Sequence, residues 1–215
     1  MTLFNFFDMR KNIFFTIGLL ILSIGLMAQS AESVIKSAVE KLKSYDNIEI
    51  AFEYNMINTE AGIYETMEGS GFLQGDAYKL KIMGQDIVCD GTTRWIYNAD
   101  AEEVMISNVD KTDEGGSPFK IINNYNENIS AKFVEESGNI RKIEVKTLFG
   151  NDDTEKVIIT LDIKSLEIKD LHIFDKEKTE FVYEMKKFVT NQNLPADFFT
   201  FKASDYPDAE IIDMR

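Results

Sequence analysis

The sequence predicts a mainly β fold with some α: a large curved antiparallel sheet, or an incomplete barrel, with a helix near the N-terminus. Three observations point there. Short apolar runs that alternate with polar residues recur from Ile48 to Val189, each closed by a turn signal. Aromatic residues reach 12%, with 16 Phe, and Ile and Val are plentiful, which favours strands. Gly69 and Gly71 interrupt one long strand pattern, where they suggest a bulge or bend that curves the sheet.

Composition narrows the class. A chain of 215 residues is long enough for one domain with a sizeable core. It holds only 3 Pro and 12 Gly, so no long linker divides it. The net charge of −14 argues against nucleic acid or anionic headgroups as a docking surface. Cys89 is the single cysteine and His172 the single histidine; no intramolecular disulfide is possible, and a typical zinc site lacks ligands.

The first 28 residues read as a signal peptide. Arg10-Lys11 precede an apolar stretch from Ile13 to Met27, and Ala28-Gln29 follow as the cleavage point. Met9 is a plausible start, because MRKNIFF makes a more conventional basic region. The apolar core is shorter than the ~20 residues of a spanning helix. Cleavage is expected to leave residues 29–215 as a single exported, soluble domain of net charge −15. Gln29 stands where a lipid-anchored protein would carry Cys.

The elements follow in order. Ser30 to Tyr45 is an amphipathic helix: Val34, Ile35, Ala38, Val39, Leu42 and Tyr45 share a face, with Ser30 as cap. Ile48, Ile50, Phe52, Tyr54 and Met56 alternate with polar neighbours in a half-buried strand, and Ile63 to Gln74 is the next. A meander continues through Tyr78-Leu80-Ile82, Ile87-Val88-Cys89, the turn Asp90-Gly91, Arg94 to Tyr97, and Val104-Ile106. The meander places Trp95 and Tyr97 on a common apolar surface. Ser117-Pro118 opens a short helix with Phe119, Ile121, Ile122 and Tyr125, either a lid or a cap on the core. Further strands follow: Ala131 to Glu136, Arg141 to Phe149 after Gly138-Asn139, Glu155 to Ile163, Leu166 to Phe174, and Thr179 to Val189. The count is about ten strands, nearly all joined by short turns.

No nucleophile elbow, phosphate loop, HExxH helix or EF-hand occurs. Glu102-Glu103 and Asp152-Asp153 are adjacent carboxylates of the kind that are solvated in turns, and His172 in a strand reads as structural. The pattern favours a binding protein over an enzyme and calls for no cofactor. A curved sheet must cover its concave face, and helices that fill it incompletely leave an apolar cavity. Burial of acyl chain is worth ~0.8 kcal/mol per methylene, and Met56, Met83, Met105 and Met185 suit an adaptable lining.

These residues resemble the LolA-like family of periplasmic outer-membrane lipoprotein carriers. The likeness rests on the early helix, Phe52, the run Gly69-Ser70-Gly71-Phe72-Leu73, and above all Ile87-Val88-Cys89-Asp90-Gly91-Thr92-Thr93-Arg94-Trp95-Ile96-Tyr97-Asn98. Ser117-Pro118-Phe119, Phe199-Thr200-Phe201, Pro207 and Ile211-Ile212-Asp213 add to it. The resemblance implies an incomplete barrel of about eleven strands with short lid helices on the concave side. It also implies a monomer without catalysis, which takes lipoprotein acyl chains from an inner-membrane ABC transporter to an outer-membrane receptor. On this basis Phe52, Tyr54, Leu80, Ile82, Trp95, Tyr97 and Ile122 are expected to line the cavity, with Phe119 in the lid. Family members can carry a functionally important Arg between the first two strands, whereas Met56 to Gly69 holds no Arg or Lys. A divergent lipid binder or a structural envelope protein of the same fold is the alternative.

Overall fold

A computed structural model describes residues 29–109, 129–146 and 154–215. The predicted signal peptide, the Ser117-Pro118 helix with Phe119 and Ile122, and Asp152-Asp153 lie outside these residues.

Helix α1 spans Ala31–Lys43. The Ser30 hydroxyl accepts a hydrogen bond from the Ser33 N–H at 3.2 Å, which satisfies one orphan donor, and Glu32 and Lys41/Lys43 complement the helix dipole at either end. The strands are β1 Ile48–Asn58, β2 Ile63–Gln74, β3 Ala77–Ile82, β4 Gln85–Cys89, β5 Thr93–Asn98 and β6 Glu103–Asn108, then β7 Ser130–Ser137, β8 Ile140–Lys146, β9 Thr154–Asp162, β10 Glu167–Asp175, β11 Glu180–Thr190 and β12 Glu210–Asp213. They form one sheet in the order β12-β6-β5-β4-β3-β2-β1-β11-β10-β9-β8-β7. Two meanders are thus joined where the first strand pairs with the eleventh, and the sheet is curved but not closed into a barrel.

This agrees with the mainly β, open-barrel expectation and differs in two details. There are twelve strands among the described residues, and the twelfth pairs parallel to β6 rather than antiparallel. The parallel edge arises because the chain leaves β11, crosses the first meander as residues 191–209, and only then joins the far edge.

Gly69 and Gly71 do not form a bulge. The β1–β2 register runs unbroken from Ile48↔Leu73 to Asn58↔Ile63, and the irregularity lies instead between Ala51 and Phe52 against β11. Gly69 serves Phe52: a Cβ there would sit 2.3 Å from the Phe52 Cζ, so the ring lies where any side chain would be.

Registered partners share a face, so one inward row runs Ile50–Gly71–Leu80–Ile87–Ile96–Met105. Another inward row runs Tyr54–Tyr183–Leu171–Ile159–Ile143. Helix α1 lies on this concave face and presses Val34, Ile35, Ala38, Val39 and Leu42 into the same core. It is tied at both ends. The Glu32 carboxylate accepts from the Ala131 N–H of β7 at 3.0 Å, and Lys41 donates to the Ser165 carbonyl in the β9–β10 turn.

Candidate functional site: the concave face

The site is built from the inward stripe of β1 and its neighbours. Strict alternation in IEIAFEYNM turns Ile48, Ile50, Phe52, Tyr54 and Met56 inward, and Phe181, Tyr183 and Met185 of β11 stand opposite the last three. The rings form a cluster. The centroids of Tyr54 and Tyr183 are 5.0 Å apart, those of Phe52 and Tyr183 5.6 Å, and Phe181 stacks over Tyr54 at 6.3 Å. Burial pushes the pKa of both phenols up, so each keeps its proton at neutral pH.

The face is graded. Under α1 it is closed: Phe52, Tyr54 and Leu80 are 1%, 3% and 4% exposed. Around that patch Met56, Met67, Ile82, Ile87, Phe181 and Met185 are only partly buried, packed against the core on one side. This border is apolar, and three of its side chains are flexible thioethers. Glu65, registered opposite Met56, puts one carboxylate at the rim.

Of the predicted lining, Phe52, Tyr54, Leu80 and Ile82 come together on the concave face. Trp95 and Tyr97 do not. Trp95 is registered with Val88 and Ile106, and Tyr97 with Asp86 and Val104, which places both on the convex side; Ile96 and Met105 take the inward positions. The reason is a second apolar layer. Residues 191–209 cross the convex face, where Phe198 packs on Phe72 at 4.8 Å, Phe201 stacks on Trp95 at 5.7 Å and Tyr206 meets Tyr97 at 4.5 Å. The convex face of β5, Trp95 and Tyr97, is therefore covered by the crossing segment, while its inward face carries Ile96 between Arg94 and Asn98. Met83 is corrected too: it sits exposed in the β3–β4 turn, with φ at 53°. Phe119 and Ile122 lie outside the described residues.

Met185 was named among the adaptable methionines, whereas Phe181, Tyr183 and Met67, which stand beside it on the concave face, were not singled out, although the alternation of Phe181, Tyr183 and Met185 was visible. The missing information was the pairing of β1 with β11, which joins strands far apart in sequence.

Two further features lie on the convex side. An open trough of about 590 Å³ is floored by Ala51, Gly69 and Ser70, and flanked by Lys81, Asp86, Tyr97 and Lys186. Its cations are already paired: Lys81 with Asp86 at 3.1 Å and Lys186 with Glu53 at 3.7 Å and with Glu184. His172 stands between Glu180 (Nδ1 to Oε1, 2.5 Å) and Asp170 (Nε2 to Oδ1, 3.2 Å). Those carboxylates occupy opposite ring nitrogens and cannot converge on one ion. Among the described residues no cluster of three or more His, Cys, Asp or Glu is placed to hold a metal.

Residues 83–202, from the β3–β4 turn to the convex crossing, match the family described as "Outer membrane lipoprotein carrier protein LolA". The chain belongs to the LolA family. Two curated relatives are outer-membrane lipoprotein carrier proteins of Legionella pneumophila. The protein of strain Paris is 22% identical over 200 residues, covering 89% of this chain and 95% of the relative. That of strain Corby is 24% identical over 198 residues, with the same coverage. A solved structure of an uncharacterized conserved protein from Thermus thermophilus superposes with a TM-score of 0.55 at 11% identity, covering 83% of this chain and 96% of that one. At that identity the likeness speaks for the fold. The open curved sheet with a helix on its concave face is thus a lipoprotein-carrier fold.

Proposed function

We propose that this protein is a periplasmic carrier that binds lipoprotein acyl chains on its concave face and moves them from the inner to the outer membrane. The observation that carries the reading is the graded concave face: a closed apolar patch under α1, bordered by half-buried Met56, Met67, Ile82, Phe181 and Met185. A border of this kind can repack around an acyl chain without breaking a hydrogen bond. Binding needs no catalytic group and no cofactor, because apolar transfer alone gives ~0.8 kcal/mol per methylene. An inner-membrane ABC transporter would load the chain and an outer-membrane receptor would unload it. Family membership and the length shared with the Legionella carriers support this reading.

The lining we assign is Phe52, Tyr54, Leu80 and Ile82 with Met56, Met67, Phe181 and Met185. Native mass spectrometry of protein released gently from a periplasm is expected to show bound acylated lipid or lipopeptide. Delipidated protein is expected to take up a palmitoylated lipopeptide by calorimetry. Protein that emerges lipid-free and takes up none leaves a solid core and removes the carrier role.

A further inference from the structure

Methionine is among the residues most often fully buried in folded proteins, yet none of the six methionines among the described residues is buried. The closed core under α1 is made of Val, Ile, Leu, Ala, Phe and Tyr. Met83 and Met214 are exposed. The other four face the concave side at half burial, and three of them ring the aromatic cluster. By register Met185 stands beside Phe52, Met67 beside Tyr54 and Met56 beside Phe181. Met105 continues an inward row beside Ile96. The thioethers are thus kept out of the part of the face that α1 seals and gathered on the part that water still reaches. Packing alone does not ask for this, because Leu or Ile would line a half-buried border with similar apolar area. A thioether brings in addition a sulfur that accepts oxygen.

We propose that Met56, Met67 and Met185 form an oxidation-sensitive border, at which a hydroperoxide converts thioether to sulfoxide and so lowers the affinity of the concave face for acyl chains. The inference rests on the acyl-carrier reading above and adds a modification site that regulates it. In the step a sulfur lone pair attacks the hydroxyl oxygen of the peroxide, the S–O bond forms and the O–O bond breaks. The hydroxyl proton passes to the departing oxygen, which leaves as water or an alcohol; sulfur is oxidised and the peroxide reduced. The sulfoxide is strongly polar, and an acyl chain laid over it offers no hydrogen bond in place of the water it displaces, so binding carries a desolvation cost. The empty protein tolerates the change, because the new oxygens stay in water at the border and the closed core holds no methionine. Cys89, the single thiol, does not compete: it is fully buried, and burial pushes its pKa up, which keeps it from the reactive thiolate form. Bound acyl chain covers the same border, so a loaded carrier is shielded and an empty one is not.

The test treats delipidated wild type with hydrogen peroxide, locates sulfoxide by peptide mass spectrometry, and measures binding of a palmitoylated lipopeptide by calorimetry before and after. Treated wild type is expected to bind about tenfold or more weakly, to keep its circular dichroism spectrum, and to recover on incubation with the two methionine sulfoxide reductases, one for each sulfoxide epimer. The loss is expected to persist in Met83→Leu/Met214→Leu. In Met56→Leu/Met67→Leu/Met185→Leu the ratio of treated to untreated affinity is expected to stay near unity, whatever the starting affinity. Protein loaded with lipopeptide before treatment is expected to oxidise at Met83 and Met214 as before and severalfold more slowly at the three border positions. Oxidation of the border without loss of affinity overturns the proposal and leaves the carrier reading standing. So does a border that resists peroxide in the empty protein, an equal loss in the triple variant, equal border oxidation in loaded and empty protein, or a loss of binding that comes from unfolding. Failure of untreated wild type to bind the lipopeptide removes the carrier reading and the oxidation-sensitive border with it.

Discussion

At Gly69 a missing side chain decides the position of a present one. The Phe52 ring occupies the space a Cβ would take. In an ordinary strand Gly→Ala stabilises by about 0.4–1 kcal/mol through the unfolded chain, but overpacking of this kind costs about 1–3 kcal/mol, and the clash wins. Gly69→Ala is expected to lower stability by about 1–2 kcal/mol in urea unfolding. Combined with Phe52→Leu it should be better tolerated than the sum of the two single changes; strict additivity would mean the contact is not the cause. His172 is the other residue whose surroundings set its behaviour. Hydrogen bonding to Asp170 is the largest influence; burial opposes it, and hydrogen bonding to Glu180 adds to it, so the pKa is held above 6.5. Only the imidazolium can donate to both carboxylates at once. A raised folded pKa means the stabilisation is complete below the unfolded value of about 6.5 and is lost as pH rises through the folded pKa. Lys142 of β8, acting on Asp170, and Lys156 of β9, over the Phe174 ring that stacks on His172, are the cations nearby. The wild-type melting temperature is therefore expected to decline across the alkaline side of neutrality, and His172→Gln to flatten that decline. An NMR titration of this one histidine that gave a value at or below 6.5 would remove the explanation.

At the scale of elements, what could be read in advance depended on whether one face or two were covered. α1 was legible because its apolar stripe and Ser30 cap are local signals, and β1 because Glu49, Glu53 and Asn55 mark its outer side. β5 was legible as a strand but not in its facing. Trp95 and Tyr97 form the bulky apolar set, alternating with Arg94, Ile96 and Asn98, and an apolar set is expected on the core side; its convex facing depends on residues 191–209, far along the chain. Periodicity reports burial and cannot tell which layer provides it. The Asp90-Gly91 signal likewise marked a turn correctly, but the connection between the paired Cys89 and Arg94 is longer than a two-residue hairpin. In it the Asp90 carboxylate accepts from the Thr92 and Thr93 N–H groups, each at 2.8 Å. The convex crossing makes its own prediction. Phe201→Ala removes the ring stacked on Trp95 and is expected to shift Trp95 emission to the red and lower stability by about 2 kcal/mol. An unshifted spectrum would mean that the indole is shielded by something other than the crossing segment.

At the scale of the molecule, one sheet separates two apolar layers with different partners. The convex layer is closed by the chain's own tail, which ends by pairing β12 with β6 and so protects that edge. At the opposite edge Glu32 of α1 occupies the Ala131 N–H of β7. The concave layer has only α1 among the described residues, and its half-buried border is the part left for cargo. Strands can transmit a change from one face to the other only by altering their twist or curvature, which an extended hydrogen-bond ladder resists. Trp95 should therefore report on the tail and not on the ligand. In a titration with palmitoylated lipopeptide, wild-type emission is expected to stay constant while calorimetry records binding. A Trp95→Phe, Met185→Trp variant, with its indole on the concave border, is expected to shift to the blue in the same titration as acyl chain displaces water from the ring. If the native tryptophan moves in step with the introduced one, the two faces are coupled through the sheet, and the tail becomes part of the binding transition rather than a fixed outer layer.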